Sequence, residues 1–324
     1  MGKYEAKDKR CAMRSPLVSI IIATYNYGHF ILDALESVAA QRFLNWECII
    51  VDDGSTDDTE VVVTHYISRI ADQRFLYIFT ENGGPSQARN IGILRSKGKY
   101  LQFLDADDLL SRDKLTVQVD LLNSKPCALV YSRSLFFEAD HTEKVYKSKY
   151  PADFLAAETL VGLALIRRLI RNNIFTISSV LVHKDLVEAA GKFNIESDHN
   201  EDWLLWFKIA LLKPIFIFDH SALSATEIRI HQSSSMSNKK RMYLGEKFVR
   251  LEMSIALLEQ HPQNEINSLI ISNEDLLALH QIRSLSLFDG LTYVSKRFLR
   301  GPISSLPLLV RSCNKMLARI LKSN

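Results

Sequence analysis

The chain predicts an α/β fold, a mainly parallel sheet flanked by helices, with a helical extension at its C-terminal end. Three observations carry this reading. Short apolar, β-branched runs such as "LVSIIIA" (17–23) and "WECIIV" (46–51) read as strands buried on both faces. Between them lie stretches whose apolar residues recur at helical spacing, which gives a β-α-β-α rhythm. From Arg241 onward the pattern is helical throughout.

Taken in order, strand 17–23 precedes a helix over 30–41, with Ile31, Leu35 and Val38 on one face. Strand 46–51 follows, and Ser55 with Asp58 forms a capping-box pattern opening a helix that carries Val62, Tyr66 and Ile70. "RFLYIF" (74–79) is a third strand, 86–97 a third helix and "YLQFL" (100–104) a fourth strand. Residues 112–123 read as a helix and 127–132 as a strand. Beyond 133 the rhythm becomes irregular. A helix is expected over 155–171, a strand and helix over 176–193, a helix over 201–212, and strands at 215–219 and 224–230. Residues 231–240 form a polar loop, which divides the chain into an N-terminal tail (1–16), an α/β domain (17–239) and a helical region (240–324).

Composition narrows the class. With 324 residues, 47% hydrophobic and 24% charged, the chain is of ordinary globular make-up. A net charge of +3 gives no case for nucleic acid. Cys11, Cys48, Cys127 and Cys313 are far apart with no CxxC spacing, so neither a zinc site nor a disulfide framework is expected. The N-terminal "MGKYEAKDKRCAMRSP" lacks a signal-peptide core, and Ala6 breaks the myristoylation pattern. No run of 18 apolar residues exists, so a reducing, cytoplasmic setting is expected.

Two acidic clusters follow strands: Asp52-Asp53, and Asp105-Ala106-Asp107-Asp108 after "YLQFL". Crowded carboxylates at a strand end are costly unless a cation or a solvated turn takes up their charge. In open α/β sheets ligands bind beyond the carboxyl ends of the strands, where strand order reverses. Aspartates at i and i+2 can reach one hard cation, and Mg²⁺ or Mn²⁺ accepts few protein ligands when phosphate oxygens complete its shell. The second cluster therefore suits a metal-bridged diphosphate, with Asp108 a structural residue leading into the next helix. Asp52-Asp53-Gly54-Ser55 taken alone reads equally well as a solvated turn.

The segments "VSIIIATYN" (18–26), "ECIIVDDGSTDDT" (47–59), "ENGGPSQARNIGI" (81–93), "GKYLQFLDADD" (98–108) and "NEDWLLWFKIA" (200–210) occur in a meaningful order. Their order and spacing resemble the inverting, nucleotide-sugar-dependent glycosyltransferases of family 2 with the Rossmann-like GT-A fold, over about residues 17–235. The resemblance implies that Thr24 and Tyr25 line the nucleotide pocket, Tyr25 near the base. It implies that Asp53 accepts a uracil-like N–H, which favours a UDP-sugar, and that Arg89 approaches the base or the diphosphate. Asp105 and Asp107, with Ala106 between them at the donor site, become the DxD element, Asp107 being the more direct ligand of Mn²⁺ or Mg²⁺. His231 becomes a late metal or diphosphate contact, and Asp202 the catalytic base, with Glu201 its rival. Trp203, Trp206 and Phe207 lie at helical spacing and read as core rather than as sugar-stacking rings.

The implied reaction is transfer of a hexosyl or N-acetylhexosaminyl unit, with inversion, to a saccharide or lipid-linked acceptor in bacterial surface polysaccharide or glycolipid synthesis. Because Asp202 begins a helix, its ionised form is expected to be favoured, leaving it a weak base. A dinucleotide-dependent oxidoreductase would need GxGxxG after the first strand, where "TYNYGHF" stands instead. A nucleotidyltransferase would need a Gly-rich basic loop at the same place. A non-catalytic nucleotide-sugar-binding relative stays open, opposed by the presence of both Asp107 and Asp202. Residues 280–324 hold eight Lys or Arg against one Asp, a net +7, with Leu306, Leu309, Cys313, Met316 or Leu317, and Ile320 at helical spacing. Such a stretch suits peripheral contact with the inner face of the plasma membrane, and equally packing on the domain or on a second subunit.

Overall fold

β1 (Val18–Thr24) is apolar on both sides because both sides are covered: Ile21 faces one core, and Val18, Ile20 and Ile22 face another. The computed structural model describes residues 15–125, 128–140, 143–147, 150–151, 154–197, 199–231, 239–260 and 264–282. After β1 come α1 (Gly28–Ala39), β2 (Trp46–Asp52), α2 (Thr59–Ile70), β3 (Phe75–Phe79), α3 (Pro85–Arg95) and β4 (Tyr100–Asp105). β5 (Leu109–Leu110), α4 (Lys114–Ser124), β6 (Ala128–Tyr131), β7 (Ser134–Asp140) and β8 (Glu143–Lys147) follow. Next are β9 (Leu160–Val161), α5 (Gly162–Arg171), β10 (Val180–His183), α6 (Lys184–Ala189) and α7 (Glu201–Leu211). β11 (Ile215–Phe218), β12 (Thr226–Arg229), α8 (Lys239–Leu258) and α9 (Asn264–Ile282) complete the order.

The main sheet runs β3-β2-β1-β4-β10-β6-β11-β9. β1 to β4 are mutually parallel, β10 runs antiparallel to both neighbours, and β9 is antiparallel to β11. The chain builds outward from β1 to β3, then crosses back to lay β4 on the other side of β1. α1 and α2 cover one face through Ile31, Leu35, Val38, Val63 and Tyr66, and α3 covers the other. This is where strand order reverses, so the ends of β1, β2 and β4 open onto one edge. Thr24 is level with Asp52, and Ala23 with Asp105.

The larger core lies on the α3 face and includes α5, α7, α8 and α9. Trp203, Trp206 and Phe207 are buried in it with Val249, Met253, Leu257 and Leu269, so the core reading of the α7 aromatics holds. Lys114 is fully buried on the opposite face. Its Nζ donates to Gln118 Oε1 (3.1 Å), Ser132 Oγ (3.1 Å) and the Ser179 carbonyl (2.8 Å), and burial pushes its pKa down to about 7.

A second sheet, β5-β12-β7-β8, is absent from the expectation drawn from sequence. β5 is two residues long and shows no periodicity, and "SLFFEAD" with "EKVYK" carries charges that blur alternation. The helix expected over 155–171 begins only at Gly162, because Leu160 and Val161 pair with β11 instead. Among the described residues no helix is long and apolar enough to cross a membrane. Cys48 is buried in β2, while Cys11, Cys127, Cys313 and the basic stretch 283–324 lie outside the described residues.

Candidate active site

The loops after β1 and β2 are stitched together by side chains. Asn26 takes a left-handed backbone (φ 59°), and its Oδ1 accepts the N–H groups of Thr56 (2.8 Å) and Asp57 (3.3 Å). Its own N–H donates to Ser55 Oγ at 2.8 Å. Ser55 is therefore spent on the β1 loop, and the capping box expected of Ser55 and Asp58 is not formed. α2 starts at Thr59, whose N–H is accepted by Asp57 Oδ1 at 3.0 Å, while Asp57 Oδ2 accepts from Gly28 N at 3.1 Å.

Thr24 is buried at this edge, its Oγ1 without a hydrogen-bond partner, and its carbonyl accepts the Asp53 N–H at 2.9 Å. Tyr25 stands beside it, 44% exposed. Asp53 is buried, and its two carboxylate oxygens accept the N–H groups of Gly83 and Gly84, each at 2.8 Å. Gly84 has φ +87°, a conformation open to glycine, which aims its N–H inward and delivers Pro85 to the first turn of α3. Asp52 is internal too, accepting from Ser55 N (2.8 Å) and Tyr77 Oη (2.7 Å).

At the end of β4 the four residues part company. Ala106 is buried. Asp108 turns inward, accepting from Ser178 Oγ (2.7 Å) and Arg229 N (3.1 Å), so it is the structural member, as expected. Asp107 meets His231 Nε2 at 2.7 Å, and its carbonyl accepts from Arg229 Nε at 3.1 Å. Asp105 accepts from Arg89 Nη2 at 2.9 Å, and Arg89 Nη1 donates to Glu201 Oε1 at 2.5 Å. The guanidinium of Arg89 is thus buried and engaged by two carboxylates, one on β4 and one on α7, rather than standing as a surface charge.

Oxygens of Asp105, Asp107 and Asp108 all lie within 4.8 Å of one another. Burial, and then repulsion within the cluster, hold Asp105 and Asp108 above the usual carboxylate range, against the pull of Arg89 on Asp105. A hard divalent cation fits such a donor set, since it would relieve that repulsion. Burial first, then the charges of Asp107, Asp105 and Asp108, also raise the Tyr27 hydroxyl. Tyr27 meets the His231 ring edge-on at 6.0 Å, and Phe30 lies 4.7 Å from it. Sequence reasoning passed over Tyr27, Phe30, Ser178 and Arg229. Tyr27 and Phe30 stand within "ATYNYGHF" close to residues already assigned, but Ser178 and Arg229 carry no local signal.

Asp202 sits in the first turn of α7. Its Oδ2 accepts from Asn173 Nδ2 at 2.9 Å, and its Oδ1 from the Trp203 N–H at 2.8 Å. The expectation of a favoured, weakly basic carboxylate is overturned. Burial first, then the neighbouring Glu201, raises its pKa to about 7, outweighing Asn173, Arg89 and the Trp203 N–H. Asn173 comes from the irregular "RNNIF" after α5, where nothing in the sequence singles it out.

A family model described as Glycosyl transferase family 2 matches residues 19–183. The uncharacterized glycosyltransferase RP339 of Rickettsia prowazekii is 32% identical over 225 residues, covering 68% of this chain and 67% of its own. An Escherichia coli relative, UDP-Glc:alpha-D-GlcNAc-diphosphoundecaprenol beta-1,3-glucosyltransferase WfgD, is 27% identical over 224 residues, covering 69% of this chain and 81% of its own. Among solved structures, S. aureus TarS 1-349 in complex with UDP-GlcNAc aligns with a TM-score of 0.61 at 19% identity, over 91% of this chain and 79% of that one. The mannosyltransferase PcManGT from Pyrobaculum calidifontis, in complex with GDP-Man and Mn²⁺, aligns with a TM-score of 0.61 at 19% identity, over 94% and 81%. The chain belongs to glycosyl transferase family 2, and its fold is GT-A.

Proposed function

We propose that this glycosyltransferase is inverting and metal-dependent, moving a hexosyl or N-acetylhexosaminyl unit from a UDP-sugar to an acceptor hydroxyl. The observation that carries the reading is the Arg89 bridge. One buried guanidinium ties Asp105, on the diphosphate side, to Glu201, the neighbour of Asp202. Leaving-group site and base are thereby held in fixed relation, as a single displacement requires.

Asp202 is the proposed base. A carboxylate raised to about 7 is matched to neutral pH, ionised in part and a better proton acceptor than an ordinary aspartate. The acceptor oxygen forms a bond to the anomeric carbon as the bond to the diphosphate oxygen breaks. The proton passes to Asp202 and the electron pair leaves with the nucleoside diphosphate. Asp105, Asp107 and His231 would hold Mn²⁺ or Mg²⁺, which when bound supplies Lewis-acid charge for the departing diphosphate. Asp53 keeps lone pairs beyond those given to Gly83 and Gly84, and is assigned the N–H of a uracil-like base. Thr24, Tyr25 and Ala106 line the donor site, and Arg89 acts on the diphosphate through Asp105.

The UDP named for the E. coli relative and for TarS favours a uridine donor, and the Mn²⁺ of the archaeal neighbour favours a metal. The diphosphoundecaprenol of that relative favours a lipid-linked saccharide acceptor in surface-polysaccharide synthesis. The net +7 of residues 280–324 would then rest on an anionic cytoplasmic membrane face.

The test is a melting-temperature panel of nucleotide sugars with and without Mn²⁺, on wild type and Asp107→Asn. A UDP-sugar at about a hundred times its Kd stabilises by about 2.7 kcal/mol. The expected shift is limited to UDP-sugars, needs Mn²⁺, and is lost in the Asn variant. Equal shifts with and without the ion, or in both proteins, count against the metal assignment.

A further inference from the structure

Hydrogen bonds and chain adjacency link the groups of the site in series. His231 and Asp107 stand at one end, then Asp105, Arg89, Glu201 and Asp202. Inversion needs the base on the side of the sugar away from the leaving group. Whatever continues the series beyond Asp202 therefore borders the nucleophile.

The continuation is aromatic. Asn173 holds Asp202, and its neighbour Asn172 donates Nδ2 to the Phe154 carbonyl at 2.9 Å. Arg168 Nη2 donates to the same oxygen at 2.7 Å, so two donors fix the Phe154 backbone against the residue that precedes Asn173. Phe154 stacks on Tyr150 with ring centroids 4.4 Å apart and planes 12° apart. Phe136 closes on Tyr150 edge-on at 5.4 Å. Phe136 is buried, whereas Tyr150 and Phe154 are half-buried. Burial, and then the charge of Asp202, raise the Tyr150 hydroxyl to about 12, in keeping with a ring close to the base. The aromatics of α7 itself are buried in the core and offer no such surface. Asn173 Oδ1 is shut off from solvent with no hydrogen-bond partner, an acceptor that a hydroxyl arriving beside Asp202 would satisfy after a small turn of the amide.

We infer that Tyr150 and Phe154 form the platform for the acceptor sugar, a pyranose laid with its C–H face on the stack and its hydroxyls toward Asn173 and Asp202. Apolar C–H bonds against aromatic rings, with a few convergent polar groups, make a saccharide site rather than a site for a flexible lipid chain. This rests on the transferase reading, because it takes Asp202 as the point the nucleophile must reach.

The test is saturation-transfer NMR on the full chain with UDP and Mn²⁺, using the methyl glycosides of glucose, galactose, N-acetylglucosamine and rhamnose as probes. UDP affinity by calorimetry is followed in parallel and reports that each variant is folded. At least one glycoside is expected to take up saturation on its ring protons. Tyr150→Ala and Phe154→Leu weaken that binding about tenfold, Tyr150→Phe keeps it, and UDP binds all four proteins alike. Normal UDP binding with no glycoside saturated, or with saturation that survives Tyr150→Ala, overturns the platform and spares the transferase reading. No UDP binding by wild type overturns both.

Discussion

A helix N-terminus offers a nearby carboxylate about 0.3–1 kcal/mol, less than the roughly 1.4 kcal/mol of a single pKa unit. At Asp202 that dipole is too small to decide the outcome, because burial and the adjacent Glu201 act in the opposite sense and raise the group to about 7. The charged and polar groups around it are Glu201 and the Trp203 N–H on α7, Arg89 on α3, Asn173 after α5, and Tyr150. A base works ionised, so kcat/KM rises with pH through about 7 on the acid side. Glu201→Gln removes a like charge and moves this limb to lower pH. Asn173→Ala removes a donor that favours the ionised form and moves it to higher pH. A limb that stays in place in both variants assigns the ionisation to another group. Asp105, Asp107 and Asp202 were legible because motif order names them, whereas His231 rested only on its resemblance to a late His outside those motifs. Asn173 was not, since it reaches Asp202 across 29 residues of chain, and no local pattern encodes such a meeting.

Among elements, α3 bears most directly on the site because it carries Arg89. Gly92, one turn further along, lets the helix lie against β1: a Cβ there would meet Ile21 Cγ2 at 2.4 Å. Ile21 is buried and has no room to retreat. Gly92→Ala should therefore push α3 outward, costing about 1–3 kcal/mol, with a fall in melting temperature of about 2–4 °C per kcal/mol and weaker UDP binding as Arg89 leaves Asp105. Leu94→Ala on the exposed side of the same helix is the control and should leave both unchanged; Leu94 is 75% exposed. Equal melting of Gly92→Ala and wild type would show that α3 does not sit this tightly. The strands buried on both faces and their crossover helices were readable from periodicity alone. β5 and β9, two residues each, are too short to show a period, and the start of α5 is decided by strand pairing with β11 over local propensity.

At the scale of the whole molecule, the reversal of strand order around β1 brings the ends of β1, β2 and β4 to one edge, and α7 carries Asp202 to it from the far half of the chain. The first half of this arrangement follows from the β-α alternation. The second does not, because β10 enters antiparallel between β4 and β6 and the second sheet folds across from Leu109 to Arg229. In the proposed reaction Asp202 takes the proton of the attacking hydroxyl. The measurement that bears on it most directly is sugar transfer to the cognate acceptor by Asp202→Asn, which keeps the shape of the side chain and removes the proton acceptor, with UDP affinity measured beside it. The rate should fall by about 10²–10⁴ with UDP affinity unchanged, because the loss lies in the transition state, and Glu201→Gln should lose far less. Transfer by the Asn variant within a few-fold of wild type would contradict the account and move the search for the base to Glu201.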